Sequence, residues 1–241
     1  MKYIFFLIII SICNFSWAAT IIKSNEMGQE QKIFLDGKHV RMESNSYHYT
    51  LVDLDAKKIY MVNTKDKLII SGNITGIPIQ LPPEARRNFN QQPIKAELVK
   101  IGNGPEIVGY STVNYQINAL GKKCFDSYFS KDFANVAHVK DFVNLTNKVF
   151  NSRKIRGVPV HPCQQAVHDL NAKTRKLGVL MKSMVSDDKI KHEITSVKVD
   201  ADIKPDMFKL PNNYKVLTEA KILEEQQKAM MKHKPSHIPN Q

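Results

Sequence analysis

The sequence predicts a mainly β chain with helices inserted late, an antiparallel meander that curls into a barrel or half-barrel. Three observations carry that expectation. Short alternating runs separated by turn residues fill residues 29–71 and resume between 94 and 129. The connections between successive runs are mostly too short for anything but antiparallel neighbours. Two helical stripes appear only after residue 132, and strands resume behind them.

The meander reads strand by strand. Gln31–Leu35 ends at Asp36-Gly37, a strong hairpin signal. Val40 and Met42 alternate with His39, Arg41 and Glu43, so the next strand has one wet face. Tyr47–Leu54 follows, with Tyr47, Tyr49 and Leu51 on one side, then Lys58–Val62 and Lys67–Ile70. Gly72, Gly76, Pro78, Pro82-Pro83 and Pro93 mark 72–93 as a long connection, a length usual for lids and mobile segments. Ile94–Ile101 is again a strand. Val113, Tyr115 and Ile117 alternate with Asn114, Gln116 and Asn118, and Gly121-Lys122 turns the chain into Cys124–Phe129.

Asp132 is an expected N-cap for a first helix, with Val136, Val139, Val143, Thr146 and Phe150 on its buried stripe. Pro162 fits the first turn of a second helix, which carries Cys163, Val167 and Leu170 on one face and stops at Gly178. Val179–Met181 and a strand from Ile190 resume the sheet. Val197 and Val199 lie on the opposite parity to Ile190 and Ile194, which predicts a bulge near Thr195. Pro205–Phe208 reads as a helical turn. Beyond Tyr214, Thr218 is an N-cap, with Leu217 and Ile222 as a hydrophobic staple. The apolar stripe there is thin, so 217–241 reads as a marginal helix and disordered tail, and truncation after Lys215 is expected to leave the melting temperature unchanged.

Met1-Lys2, the apolar run from Tyr3 to Ile12, and small residues around Ala18 and Ala19 form a secretory signal, cleaved after one of those alanines. The organisation expected is a signal at 1–18, a single domain at 19–216, and the tail. The apolar run is too short to span a bilayer, which needs about 20 apolar residues. The mature protein is expected in the periplasm.

The composition, 42% apolar and 24% charged with 10 Gly and 11 Pro, excludes collagen-like and low-complexity chains. The formal net charge is +12. Its cations are scattered doublets, Lys57-Lys58, Arg86-Arg87, Lys122-Lys123, Arg153-Lys154 and Arg175-Lys176, without an RNA-binding aromatic signature or zinc-finger spacing. Nucleic acid is therefore not expected. Anionic lipid headgroups or an acidic partner suit an exported cation, with membrane contact peripheral at most, and a merely solubilising charge stands beside that reading. Export leaves Cys124 and Cys163, an even number in an oxidising compartment, which reads as one disulfide. A metal site drawing on His161, Cys163 and His168 is the rival.

Catalytic signatures are missing. The chain has no Gly-x-Ser-x-Gly elbow, no His-Glu-x-x-His and no phosphate loop. Asp187-Asp188 falls in a turn, where Asp is favoured for backbone reasons. His192 and Glu193 point to opposite faces of a strand. No catalytic residue, metal or cofactor is assigned, and the chain is not expected to be an enzyme.

Four runs resemble a family of exported bacterial domains of unknown function: Phe34–Glu43, Asp53–Asn63, Ile107–Tyr115 and Met207–Lys215. That family is similar in fold to the outer-membrane lipoprotein carriers, the LolA-like proteins. The resemblance implies a curved antiparallel sheet forming an open half-barrel, lidded by about two helices, whose hollow holds acyl chains. Two functions follow as expectations. One is a periplasmic carrier or chaperone for a lipid, lipoprotein or other amphiphile. The other is a non-enzymatic protein with a packed core that docks on an envelope protein. For the first, the candidate ligand-facing residues are Val40, Met42, Leu51, Met61, Val113, Tyr115 and Ile117. Met suits a site that accepts varied chains. Ordinary core packing is the competing role for all seven.

Overall fold

The computed structural model describes residues 18–75, 94–152, 161–185 and 189–224. The expected signal, apart from Ala18, lies outside the described residues, as do residues 76–93 of the long connection and residues 225–241 of the tail. Nine strands come first: β1 (Ala18–Glu26), β2 (Gln29–Leu35), β3 (His39–Glu43), β4 (His48–Asp53), β5 (Lys58–Asn63), β6 (Leu68–Asn73), β7 (Ala96–Asn103), β8 (Val113–Ala119) and β9 (Lys122–Ser130). Helices α1 (Val139–Ser152) and α2 (Pro162–Thr174) follow, then β10 (Val179–Val185), β11 (Ile190–Asp202) and β12 (Lys215–Thr218).

All twelve strands join one curved, unclosed sheet in the order β12-β6-β5-β4-β3-β2-β1-β11-β10-β9-β8-β7. Every pairing is antiparallel except β12 on β6. This is the expected half-barrel with helices. Its centre is β1, a strand that lies ahead of the meander expected from residue 29. Ile21 and Ile22 bury to opposite faces, and the strand pairs with β2 on one side and β11 on the other. The Thr195 bulge is where parity placed it: Lys23 faces Ser196 and Ser24 faces Ile194, which leaves Thr195 over.

Side chains alternate between two cores, as the pleat requires. Ile22, Ile33, Leu35, Val40, Val52 and Ile59 form the first, closed over by Phe133, Val139 and Leu145. Ala19, Phe34, Leu51, Val62 and Ile69 form the second, covered by Ile203 and Phe208. Arg41 fastens this cover. Its guanidinium donates to the Met207 carbonyl at 2.9 Å and to Glu43 at 2.8 Å, and lies 3.7 Å from the Tyr49 ring centre. Burial pushes the Tyr49 hydroxyl above the usual phenol range, against the opposing pull of Arg41.

The first helix begins later than Asp132 predicts. A short 3-10 turn, Phe133–Asn135, comes first; His138 takes a left-handed φ of 64°, and α1 starts at Val139. Asp132 makes no cap; its carboxylate accepts from Ser111 Oγ at 3.1 Å. Ser130 Oγ accepts instead from the Phe133 amide at 3.2 Å. The turn seats the wholly buried Phe133 ring edge-on to Tyr110, centroids 5.0 Å apart, beneath α1. Gly178, at φ 112°, starts β10 where a Cβ would sit 2.2 Å from the Ser130 carbonyl oxygen, so no other residue fits there without backbone movement.

The C-terminal boundary also differs from expectation. β12 lies along β6, pairing Val216 with Ile69, Leu217 with Ile70 and Thr218 with Ser71, two residues past the expected domain end at 216. Thr218 is a cap as expected, its Oγ1 accepting from Lys221 N at 3.2 Å, and 219–224 are helical. Truncation after Lys215 strips most of a strand from the sheet, where the sequence suggested no effect. A few ladder hydrogen bonds, each a net ~1 kcal/mol, set a cost of about 2 kcal/mol and a fall of roughly 4–8 °C in Tm. Thermal denaturation of the truncated chain checks this, and an unchanged midpoint would return the strand to the tail.

Candidate functional site

An open cleft lies beside the disulfide, among the described residues. Cys124 on β9 and Cys163 on α2 are bonded, with Cα atoms 5.4 Å apart. Pro162 opens α2, and His161 caps it, its Nδ1 accepting from the Cys163 amide at 3.2 Å. The bond holds this helix start beside β9, while Ala166 and Leu170 bury further along against Ile117, Ala119 and Phe125. His161, Cys163 and Gln164 form one wall of the cleft, and Lys123, Cys124 and Phe125 form its floor.

The opposite wall comes from the strands between β9 and the sheet's centre. β11 pairs with β10 and β1 together, so the β10–β11 hairpin and the β1–β2 turn lie side by side. Met27 and Gly28 make that turn with φ of 50° and 89°, and the Met27 amide donates to the Lys191 carbonyl at 3.0 Å. Val185, Lys189, Ile190, Lys191 and Met27 complete the lining of about 600 Å³. Met27 is 75% exposed and Ile190 41% exposed, a marked cost for two large apolar side chains at one rim.

Among the described residues the cleft's lining carries Lys123, Lys189 and Lys191 and no acid. Two described acids nearby are taken up by other partners: Glu193 by Lys182 at 2.9 Å, and Glu26 by His192 Nδ1. Lys123 pairs with Asp126 at 2.5 Å. The Lys191 ammonium stands 4.7 Å over the Phe125 ring. Neither Lys189 nor Lys191 forms a salt bridge among the described residues.

The disulfide joins the two cysteines that the sequence paired. Among the described residues no group of three or more His, Cys, Asp or Glu side chains could hold a metal ion, and no helix is long and apolar enough to cross a membrane. The seven candidate ligand-facing residues do not converge. Val40 is buried in the first core, with Met42 packed against it. Leu51 belongs to the second core, because Arg41 and Leu51 are paired on one face while Val40 and Val52 are paired on the other. Met61 shares the Val40 face, paired to Thr50, and is 37% exposed. Val113 and Tyr115 are half-buried, Tyr115 standing edge-on to Phe129 at 6.0 Å. Ile117 lies under α2 in a third core. The strand-by-strand parity was sound, but it does not say which parity of one strand matches which of the next.

No protein-family model matches the chain, and no curated protein sequence matches it. Solved structures do resemble it. PNGF-II in its C2 space group is 9% identical with a TM-score of 0.40, over 87% of this chain and 32% of that one. MucB is 11% identical with a TM-score of 0.29, over 84% of this chain and 60% of its own. The Pseudomonas aeruginosa MucA/MucB complex is 13% identical with a TM-score of 0.29, over 85% and 60%. The chain thus spans about a third of PNGF-II and three-fifths of MucB, and likenesses of this size carry nothing about function.

Proposed function

We propose that this chain is a non-catalytic binding protein of the periplasm, exported by its N-terminal signal, which holds a lipid or other amphiphile. The site proposed is the cleft beside the disulfide and not the hollow of the half-barrel. One observation carries this reading: an open space of about 600 Å³ combines apolar walls with Lys189 and Lys191, which form no salt bridge among the described residues, whereas Phe133, Val139 and Leu145 fill the face that carries Val40. The volume lies within the usual range of small-molecule sites, about 300–1,000 Å³. The composition suits a ligand with an apolar body and a polar head.

Docking on an envelope protein has one observation in its favour. β7 ends the sheet with its outer edge unpaired among the described residues, and Val99 and Ile101 are exposed along it. Such an edge accepts an added strand. Lys100 and the irregularity before Gly102 are features that discourage strand addition, which weighs against it.

Organic extraction and native mass spectrometry of protein purified from the periplasm decide the matter. An amphiphile retained at about one per chain is expected. Protein that retains none, and takes up none of a series of dodecyl amphiphiles on titration, overturns the binding reading.

A further inference from the structure

Resting on that reading, we propose that the cleft selects an anionic single-chain amphiphile, a fatty-acid-like carboxylate, with its head at Lys189 and Lys191 and its chain along Phe125, Val185 and Ile190. The argument starts from what each group lacks. Lys189 is exposed on the hairpin and forms no salt bridge among the described residues. Lys191 is partly buried, and its ammonium rests on the Phe125 ring at 4.7 Å, which positions the charge at the wall without neutralising it. An ammonium so placed has donors left over, and a carboxylate supplies charge-assisted acceptors for them.

The apolar part of the site is unfinished at its rim. Ile190 is 41% exposed and Val185 half-buried, above a floor that Phe125, 6% exposed, already closes. An aliphatic chain laid along that rim removes its own apolar surface and that of Ile190 from water. A small anion alone leaves that surface wet, and a neutral amphiphile adds no counter-charge to two ammonium groups that form no salt bridge among the described residues. Asp187 and Asp188 precede Lys189 in the chain and lie outside the described residues. The headgroup comparison below reads the sign of the cleft with their charges included.

Isothermal titration of the disulfide-intact protein with three ligands of one chain length separates the contributions, each below its micelle-forming concentration. These are dodecanoate, dodecyl maltoside and dodecyltrimethylammonium, with acetate as a head-only control. Dodecanoate is expected to bind one per chain, about tenfold or more tighter than the maltoside and more so than the cation, and to weaken as salt rises. The double variant Lys189→Gln, Lys191→Gln is expected to bring dodecanoate to the maltoside's affinity, with its circular dichroism spectrum showing that the variant is folded. Equal affinity for the three heads, preference for the cation, or acetate binding as tightly as dodecanoate overturns the proposal. The first two of these leave an amphiphile site standing without its anion preference. Absence of binding by all three dodecyl ligands instead removes the binding reading itself.

Discussion

Replacing Cys124 and Cys163 together by serine is expected to lower Tm by about 8–16 °C and to abolish ligand uptake in the cleft. The two cysteines are 39 residues apart, and closing a loop of that length removes denatured-state entropy equivalent to about 4 kcal/mol. For a chain of this size each kcal/mol moves the midpoint by about 2–4 °C. The fold itself is expected to survive, because Ala166 and Leu170 still pack on Ile117 and Ala119. What the bond adds is the placing of the α2 start. His161, Cys163 and Gln164 are one wall of the cleft, and only the disulfide ties that end of the helix covalently to β9. Calorimetry of the double variant beside the parent measures the stability, and titration with dodecanoate measures the wall. A shift under 2 °C with uptake intact would mean that helix packing alone sets the site.

Phe133→Ala is expected to be as damaging, for a different reason. The ring is fully buried between the sheet and α1, in edge-on contact with Tyr110. It is among the largest side chains with no exposed surface. Removing it leaves a cavity that the surrounding strands, each fixed by its ladder, cannot collapse to fill. Truncations of this kind cost about 3–5 kcal/mol, here roughly 6–20 °C in Tm. Met61→Ala provides the contrast. That side chain shares a face with the first core but is 37% exposed, and its loss is expected to stay within about 0.5 kcal/mol. Chemical denaturation of both variants compares them directly. Similar costs for the two would mean that the Val40 face is not closed by Phe133.

The sheet was legible because its signals are local. Asp36-Gly37 makes the β2–β3 turn, with Gly37 at φ 87° and Asp36 Oδ1 accepting from the His39 amide. Thr195 was found by a parity change alone, since one extra residue must invert every side chain beyond it. The misses come from tertiary competition. Asp132 has the chemistry of a cap, but the seat for Phe133 winds the chain into a 3-10 turn and draws the Asp132 carboxylate to Ser111. β12 is four residues with Val216 exposed and Leu217 half-buried, and its pairing to β6 depends on a partner about 150 residues earlier in the chain, which no local window contains.

The cleft was hidden for the same reason. Cys124 and Cys163 could be paired by counting, but Met27, Phe125, Lys189 and Lys191 become neighbours only because β11 joins both β1 and β10. The Lys122-Lys123 doublet looked like one of several scattered cations. Its second lysine proves to border the disulfide.

Photolabelling with dodecanoate that carries a diazirine near its tail, followed by peptide mapping, asks most directly where the ligand sits. With the disulfide intact, label is expected on Met27, Val185 and Ile190, suppressed by excess dodecanoate and reduced in the Lys189→Gln, Lys191→Gln variant at the same ligand concentration. Label confined to Val40, Met42 and Met61 would place the ligand in the hollow of the half-barrel and contradict the cleft as the binding site.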